Sequence, residues 1–113
     1  FQTLTGDHEV DYRDAHVHVI NATAPAGNAF TVSFTGWPTS RYAKLRMIMS
    51  VSSGVSTSIT MSAGSGTGKT DGDAAWTGLI LTHGGQIGEK IIVDVFTYDT
   101  GNTLFFDYVG SFT

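Results

Sequence analysis

No cysteine occurs in these 113 residues, so neither a disulfide framework nor a thiolate metal site is available, and the redox compartment is left open. Proline is nearly absent, with 2 residues, and charge is thin: 14% of the chain, 6 basic residues against 10 acidic ones, for a net charge of −4. The basic residues Arg13, Arg41, Lys44, Arg46, Lys69 and Lys90 are scattered apart from the group at 41–46, which argues against nucleic acid as a partner. No apolar run approaches the roughly 20 residues needed to cross a bilayer, and no basic-then-apolar leader opens the sequence, so no membrane insertion is expected. The first residue is Phe1 rather than Met, which reads as a processed product or a piece of something longer. No stretch carries helical period.

What is present is alternation. In residues 41–61 (RYAKLRMIMSVSSGVSTSITM) Ala43, Leu45, Met47, Met49 and Val51 fall on one face, with Tyr42, Lys44, Arg46 and Ser50 on the other. Ser52, Ser53 and Gly54 turn the chain, and Val55, Thr57, Ile59 and Met61 then alternate with Ser56, Ser58, Thr60 and Ser62. The pattern predicts a central β-hairpin. Before it lie a short strand over 1–5, a charged segment over 6–14, a strand over 15–21 with Val17 and Val19 opposite His16 and His18, and a strand over 29–35 with Phe30, Val32 and Phe34 inward. After it come an exposed Gly-rich loop over 63–75, a continuous apolar strand over 76–82 and a turn at His83. A second hairpin pairs 89–98 with 103–112.

Together these predict one domain over 1–113, with 1–14 as an N-terminal arm or edge strand: an all-β, antiparallel sandwich of jelly-roll type with about eight strands. A chain of this length buries roughly 65% of its unfolded surface, enough to fold without metal or disulfide. The expected core includes Leu45, Met47, Ile59, Leu79, Ile91, Val93 and Phe105. An apolar fraction of 41% beside so little charge predicts that part of the surface is covered by a partner or by copies of the chain.

Several motifs carry chemistry in principle. Residues 63–70 fit a permissive phosphate-loop pattern ending at Gly68, Lys69 and Thr70, but that loop requires a helix starting at the Lys, and Thr70-Asp71-Gly72-Asp73 cannot start one. A mobile surface loop is the better reading, with Gly64, Gly66, Lys69, Asp71 and Asp73 as candidate ligand or host-surface contacts. His16 and His18, two apart on a strand, project both imidazoles to one side and are candidate metal ligands. Cupin enzymes join such a pair to a downstream Glu, but Ala22, Thr23 and Ala24 stand in that place here, and His83 lies in a turn. A pair shared between three chains around an axis needs no Glu, while the bland alternative is two ordinary strand histidines. Asp7, Glu9 and Asp11 share a side if extended, but match no calcium-loop spacing and read as a solvated edge. Trp37, Tyr42, Trp76, Tyr98 and Tyr108 suit stacking on sugar rings, or burial in a core. Asn21-Ala22-Thr23 is a formal glycosylation triplet.

The order AHVHVINAT, AFTVSFTGWP, KLRMIMSV, STSITM, AGSGTGKTDG, IIVDVFTY, TLFFDYVGSF resembles a β-sandwich domain found at the C-terminal ends of phage tail-fibre and other virion proteins. That family commonly has a Trp-Pro pair soon after the Ser/Thr-rich strand, whereas here Met61-Ser62-Ala63 runs straight into glycines, and no functional residue carries over. The resemblance implies a non-catalytic virion component without cofactor, assembled in the host cytoplasm and carried on the extracellular particle. Its partners would be copies of itself, as a homotrimer, other virion proteins and a host-surface glycan. A free-standing carbohydrate-binding module and a cupin-like metal-binding enzyme are the alternatives.

Overall fold

The computed structural model describes residues 2–4, 6–23, 25–52 and 54–113, the strand at 2–4 and Ala26 as backbone only. Phe1 and Thr5 of the expected first strand, Ala24 and the Ser53 of the expected central turn lie outside these. Among the described residues there is no α-helix, only a single 3₁₀ turn at Ala26–Asn28.

Strands alternate between two sheets as the chain proceeds. β1 (Gln2–Leu4), β3 (Val17–Ala22) and β5 (Ala43–Val51) lie side by side in a six-stranded sheet, completed by β10 (Lys90–Thr97), β11 (Thr103–Phe112) and β7 (Thr67–Thr70) in the order β1-β3-β5-β10-β11-β7. β2 (His8–Asp11), β4 (Ala29–Thr35) and β6 (Thr57–Ser62) begin a five-stranded sheet, completed by β9 (Ile80–His83) and β8 (Trp76–Thr77). Neighbours in the first half are parallel: β1 with β3, β3 with β5, β2 with β4, β4 with β6. The second half adds the antiparallel pairs β5–β10, β10–β11, β6–β9 and β8–β9, and the parallel pair β11–β7. The all-β, two-sheet expectation holds, but the sheets are mixed, so the antiparallel jelly-roll order is not the one found.

The largest correction concerns residues 41–61. Both arms have the expected alternation, and Leu45, Met47, Met49, Ile59 and Met61 are buried. They do not pair with each other: β5 belongs to the six-stranded sheet and β6 to the five-stranded one, so the connection crosses the sandwich. An apolar face satisfies the core from either side of it, and alternation cannot distinguish a hairpin partner from a facing strand. Val55 lies in this crossing and is 47% exposed rather than inward.

Other corrections are local. On β3 the faces divide as expected, Val17 and Val19 opposite His18, and the inward face is that of His18, Ile20 and Ala22, with Val17 exposed. The segment expected as one strand over 76–82 is a tight hairpin, β8 and β9, with Trp76 opposite Leu81 and Gly78 at φ +60° between them. His83 ends β9 instead of lying in a turn. The Gly-rich segment contains β7, which the loop reading missed, because Thr67–Thr70 has no apolar alternation to announce it. Gly66 explains how that edge docks: an added Cβ would overlap the Asn102 carbonyl of the β10–β11 turn. The β10–β11 hairpin is found as expected, with Ile91, Val93 and Val95 inward. Phe105 points outward, its neighbours Leu104 and Phe106 taking the core positions, and Leu79 is only partly buried.

Candidate functional site: the outer face of the six-stranded sheet

Register sets two rows of side chains across four strands of this face. One row runs Lys44, Phe96, Phe105, Lys69, since Phe96 is opposite both Lys44 and Phe105, and Phe105 is opposite Lys69. The next runs Arg46, Asp94, Asp107, with Asp71 just beyond the end of β7. Period-two alternation on each strand places all of them on the solvent side.

In the first row Phe96 and Phe105 stack, with centroids 5.0 Å apart and planes at 12°. Tyr42 lies 6.0 Å from Phe96 and Tyr98 5.8 Å from Phe105, so the rings form a continuous aromatic ridge. Tyr42 and Tyr98 are 63% and 61% exposed. Such a ridge of rings on the surface is a contact feature in waiting.

The second row is ionic. Asp94 is 6% exposed at its side chain and accepts from Arg46 Nε at 2.7 Å and Nη2 at 3.0 Å, with Lys44 Nζ at 3.3 Å. The Arg46 fork, acting against burial and helped by Lys44, holds the Asp94 carboxyl below the ordinary range. Asp71 is a hub: its Oδ1 accepts from Trp76 Nε1 at 2.9 Å and from Asp73 N at 3.0 Å, and its Oδ2 from Tyr108 N at 2.9 Å. Burial opposes its charge, but these N–H donors and the Asp107 carboxyl bring its pKa down. Asp107 moves the other way, raised by its hydrogen bond with Asp71, by burial and by the nearby carboxylates. Between the two rows is an open pocket of about 140 Å³, lined by Lys69, Thr70, Asp71, Phe96, Phe105, Phe106 and Asp107.

The residues expected as a surface loop are thereby divided. Lys69 and Asp71 belong to this pocket. Gly64 and Gly66 line a different cavity of about 360 Å³ with Trp37 and the Thr100–Asn102 turn. Asp73 shapes a turn by accepting from Ala75 N at 2.9 Å. Phe96, Phe105 and Asp107 were not singled out as site residues; the signal was available in the strings VFT and LFFD, where an aromatic residue occupies an outward position of a strand.

His16 and His18 take different roles. His16 is exposed and stacks on Tyr12 at 4.5 Å, while His18 is buried and its Nε2–H donates to Ala15 O at 2.8 Å. His18 instead meets His8 from β2 in a cavity of about 190 Å³ that Glu9, Asp11 and Asp14 also line. Burial, then the His18 ring, lower the His8 pKa, with Glu9 opposing, and His8 Nε2 has no hydrogen-bond partner among the described residues. Asp11 is clamped by Arg13, whose side-chain and backbone donors lower it to about 2. Asp7 Oδ1 accepts from Thr31 N at 2.9 Å, joining the charged segment to β4. His83 is fully buried; its Nδ1 accepts from Gly85 N at 3.0 Å and its Nε2 sits 3.0 Å from Glu89 O, which fixes the neutral tautomer with Nε2–H as donor. Among the described residues no group of three or more His, Asp or Glu side chains is arranged to hold a metal ion.

Comparison with family models, with curated proteins and with solved structures gives no match to this chain.

Proposed function

We propose that this chain is a non-catalytic structural domain of a bacteriophage virion, a fibre, adaptor or decoration domain that associates with copies of itself as a homotrimer and turns one face to the host surface. The observation that carries the self-association is the outer face of the five-stranded sheet. Across β4, β6 and β9 it presents Thr31, Ser33, Ser58, Thr60, Ser62, Ile80 and Thr82, in register, and the charged strand residues of this face are confined to Glu9 and Asp11 on β2, opposite Ser33 and Thr35. Free surfaces are usually interspersed with charge, and burying a charge against a copy is costly, whereas hydroxyls can exchange water for one another across a contact. The virion setting is supported by the order of segments and by the low overall charge of 14%.

The test is the mass in solution. Copies should associate, and Ser33→Lys with Thr60→Lys should return single chains by placing like charges in the contact, without loss of the β-sheet spectrum. A wild-type chain that stays single at every concentration reached overturns the self-association. The setting is tested separately by peptide mass spectrometry of purified particles, and a chain absent from them overturns it.

A further inference from the structure

We propose that the pocket bordered by Phe105, Lys69 and Asp107 is a subsite for one neutral pyranose ring of a glycan. This deepens the host-facing part of the function proposed above and rests on it. The pocket, at about 140 Å³, is well short of the roughly 300–1,000 Å³ of a drug-sized site and suits a single ring.

Its lining selects the chemistry. Phe96 and Phe105 supply an apolar wall suited to the C–H face of a sugar, with Tyr98 extending it outward. Both signs of charge border the same space, Lys69 on one side and the Asp71–Asp107 pair on the other. An anion is repelled by the carboxyls and a cation by the ammonium, so a neutral ligand with hydroxyls matches both.

The two carboxyls are not equivalent partners. Asp71 already accepts from Trp76, Asp73 and Tyr108, whereas the Asp107 side chain has, among the described residues, only Asp71 as a hydrogen-bond partner and retains acceptor capacity. The Lys69 side chain makes no hydrogen bond or ion pair with a described residue, in contrast to those of Lys44 and Arg46, which are committed to Asp94. Asp107 as acceptor and Lys69 as donor can therefore address two hydroxyls of one ring while Phe105 takes its face. The exposed Lys69 side chain and the partly exposed Phe105 leave the entrance open to solvent.

The experiment is a titration of the full chain with glucose-, galactose-, mannose- and N-acetylglucosamine-terminated oligosaccharides and with a sialylated one, followed by amide chemical shifts. At least one neutral saccharide should move the amides of Lys69, Phe105 and Asp107, and the sialylated one should not. Phe105→Ala should weaken binding about tenfold, the loss expected on truncating an aromatic anchor, with Phe105→Tyr restoring it. Lys69→Met should weaken it less, and a thermal melt of each variant confirms the fold.

The Ser33→Lys, Thr60→Lys protein should bind the same saccharide whether or not it associates, which keeps this result separate from that of the self-association test. Absence of a saccharide response at those amides overturns the subsite. So does a response that Phe105→Ala leaves unchanged, or amides that move with protein concentration alone, which would assign the pocket to a second copy.

Discussion

The outer face of the six-stranded sheet and that of the five-stranded sheet are built by the same alternation over the same interior, yet they share almost no chemistry. The first carries Lys44, Arg46, Asp94 and Asp107 beside Phe96 and Phe105. The second carries hydroxyls across β4, β6 and β9, with Glu9 and Asp11 only along its β2 edge. Their inner faces, by contrast, are interchangeable in character: Met47, Val93 and Leu104 from one, Val32, Ile59 and Leu81 from the other, each at 1% exposure or less. The core therefore dictates only every second residue of a strand. The other half is free to record what the surface meets, and here the two records differ.

The largest expected effects leave that difference untouched and establish the common interior. Met47→Ala and Ile59→Ala, one from each sheet and both fully buried, should each cost about 2–5 kcal/mol in urea unfolding. Similar losses mean that the sheets share a single core, while a small loss at Ile59 would make the five-stranded sheet a loosely attached layer.

A smaller effect should separate the outer faces. Asp94→Ala strands Lys44 and Arg46, which are 48% and 44% exposed at their side chains and so are partly relieved by water. The expected cost is about 1–2 kcal/mol, against about 0.5 kcal/mol or less for Thr60→Ala on the opposite face under conditions where the chain is single. Equal costs would break the comparison.

Acid should act on the same contrast. The Asp94 pKa is lowered on folding, so its contribution is present above the unfolded value and is lost as pH falls from there through the folded one. The stability difference between wild type and Asp94→Asn should accordingly shrink as pH falls below about 3.9, the ordinary Asp value. A difference that stays constant through that range would show that Arg46 and Lys44 do not hold the carboxylate.

Much of this architecture was legible in the sequence, for physical reasons that also explain where reading stopped. The period of two marked β5, β6, β10 and β11, because each buries one face, and Leu45, Met47, Ile59, Ile91 and Val93 are in the core as expected. Topology was not legible. Whether residues 52–56 close a hairpin or cross to the other sheet depends on backbone geometry, with Gly54 at φ +71°, and not on which residues are apolar. The two faces of β3 were legible but not which of them turns inward: it is the one with His18, whose imidazole is buried and donates to Ala15 O. The pocket was half visible: Lys69 and Asp71 stood out in a Gly-rich segment, but their meeting with Phe105 and Asp107 follows from the parallel register of β7 on β11, which links residues far apart in sequence.

The smallest effect lies between β2 of one sheet and β3 of the other. His8 on β2 and His18 on β3 share one cavity with Glu9, Asp11 and Asp14, and Asp11 is already bound to Arg13. Burial and the neighbouring ring disfavour a proton on His8, so the folded state binds that proton less readily than the unfolded one. Stability from this source is complete above the unfolded value of about 6.5 and declines as pH falls from there toward the lower folded value. The slope should be shallow, because the Glu9 carboxylate softens the repulsion, and His8→Gln should remove it while Asp94→Asn should not. Following the His8 ring protons through the titration decides the matter: a midpoint at or above 6.5 would mean that the seam between the sheets accepts charge freely, and that the contrast between the faces stops at its edge.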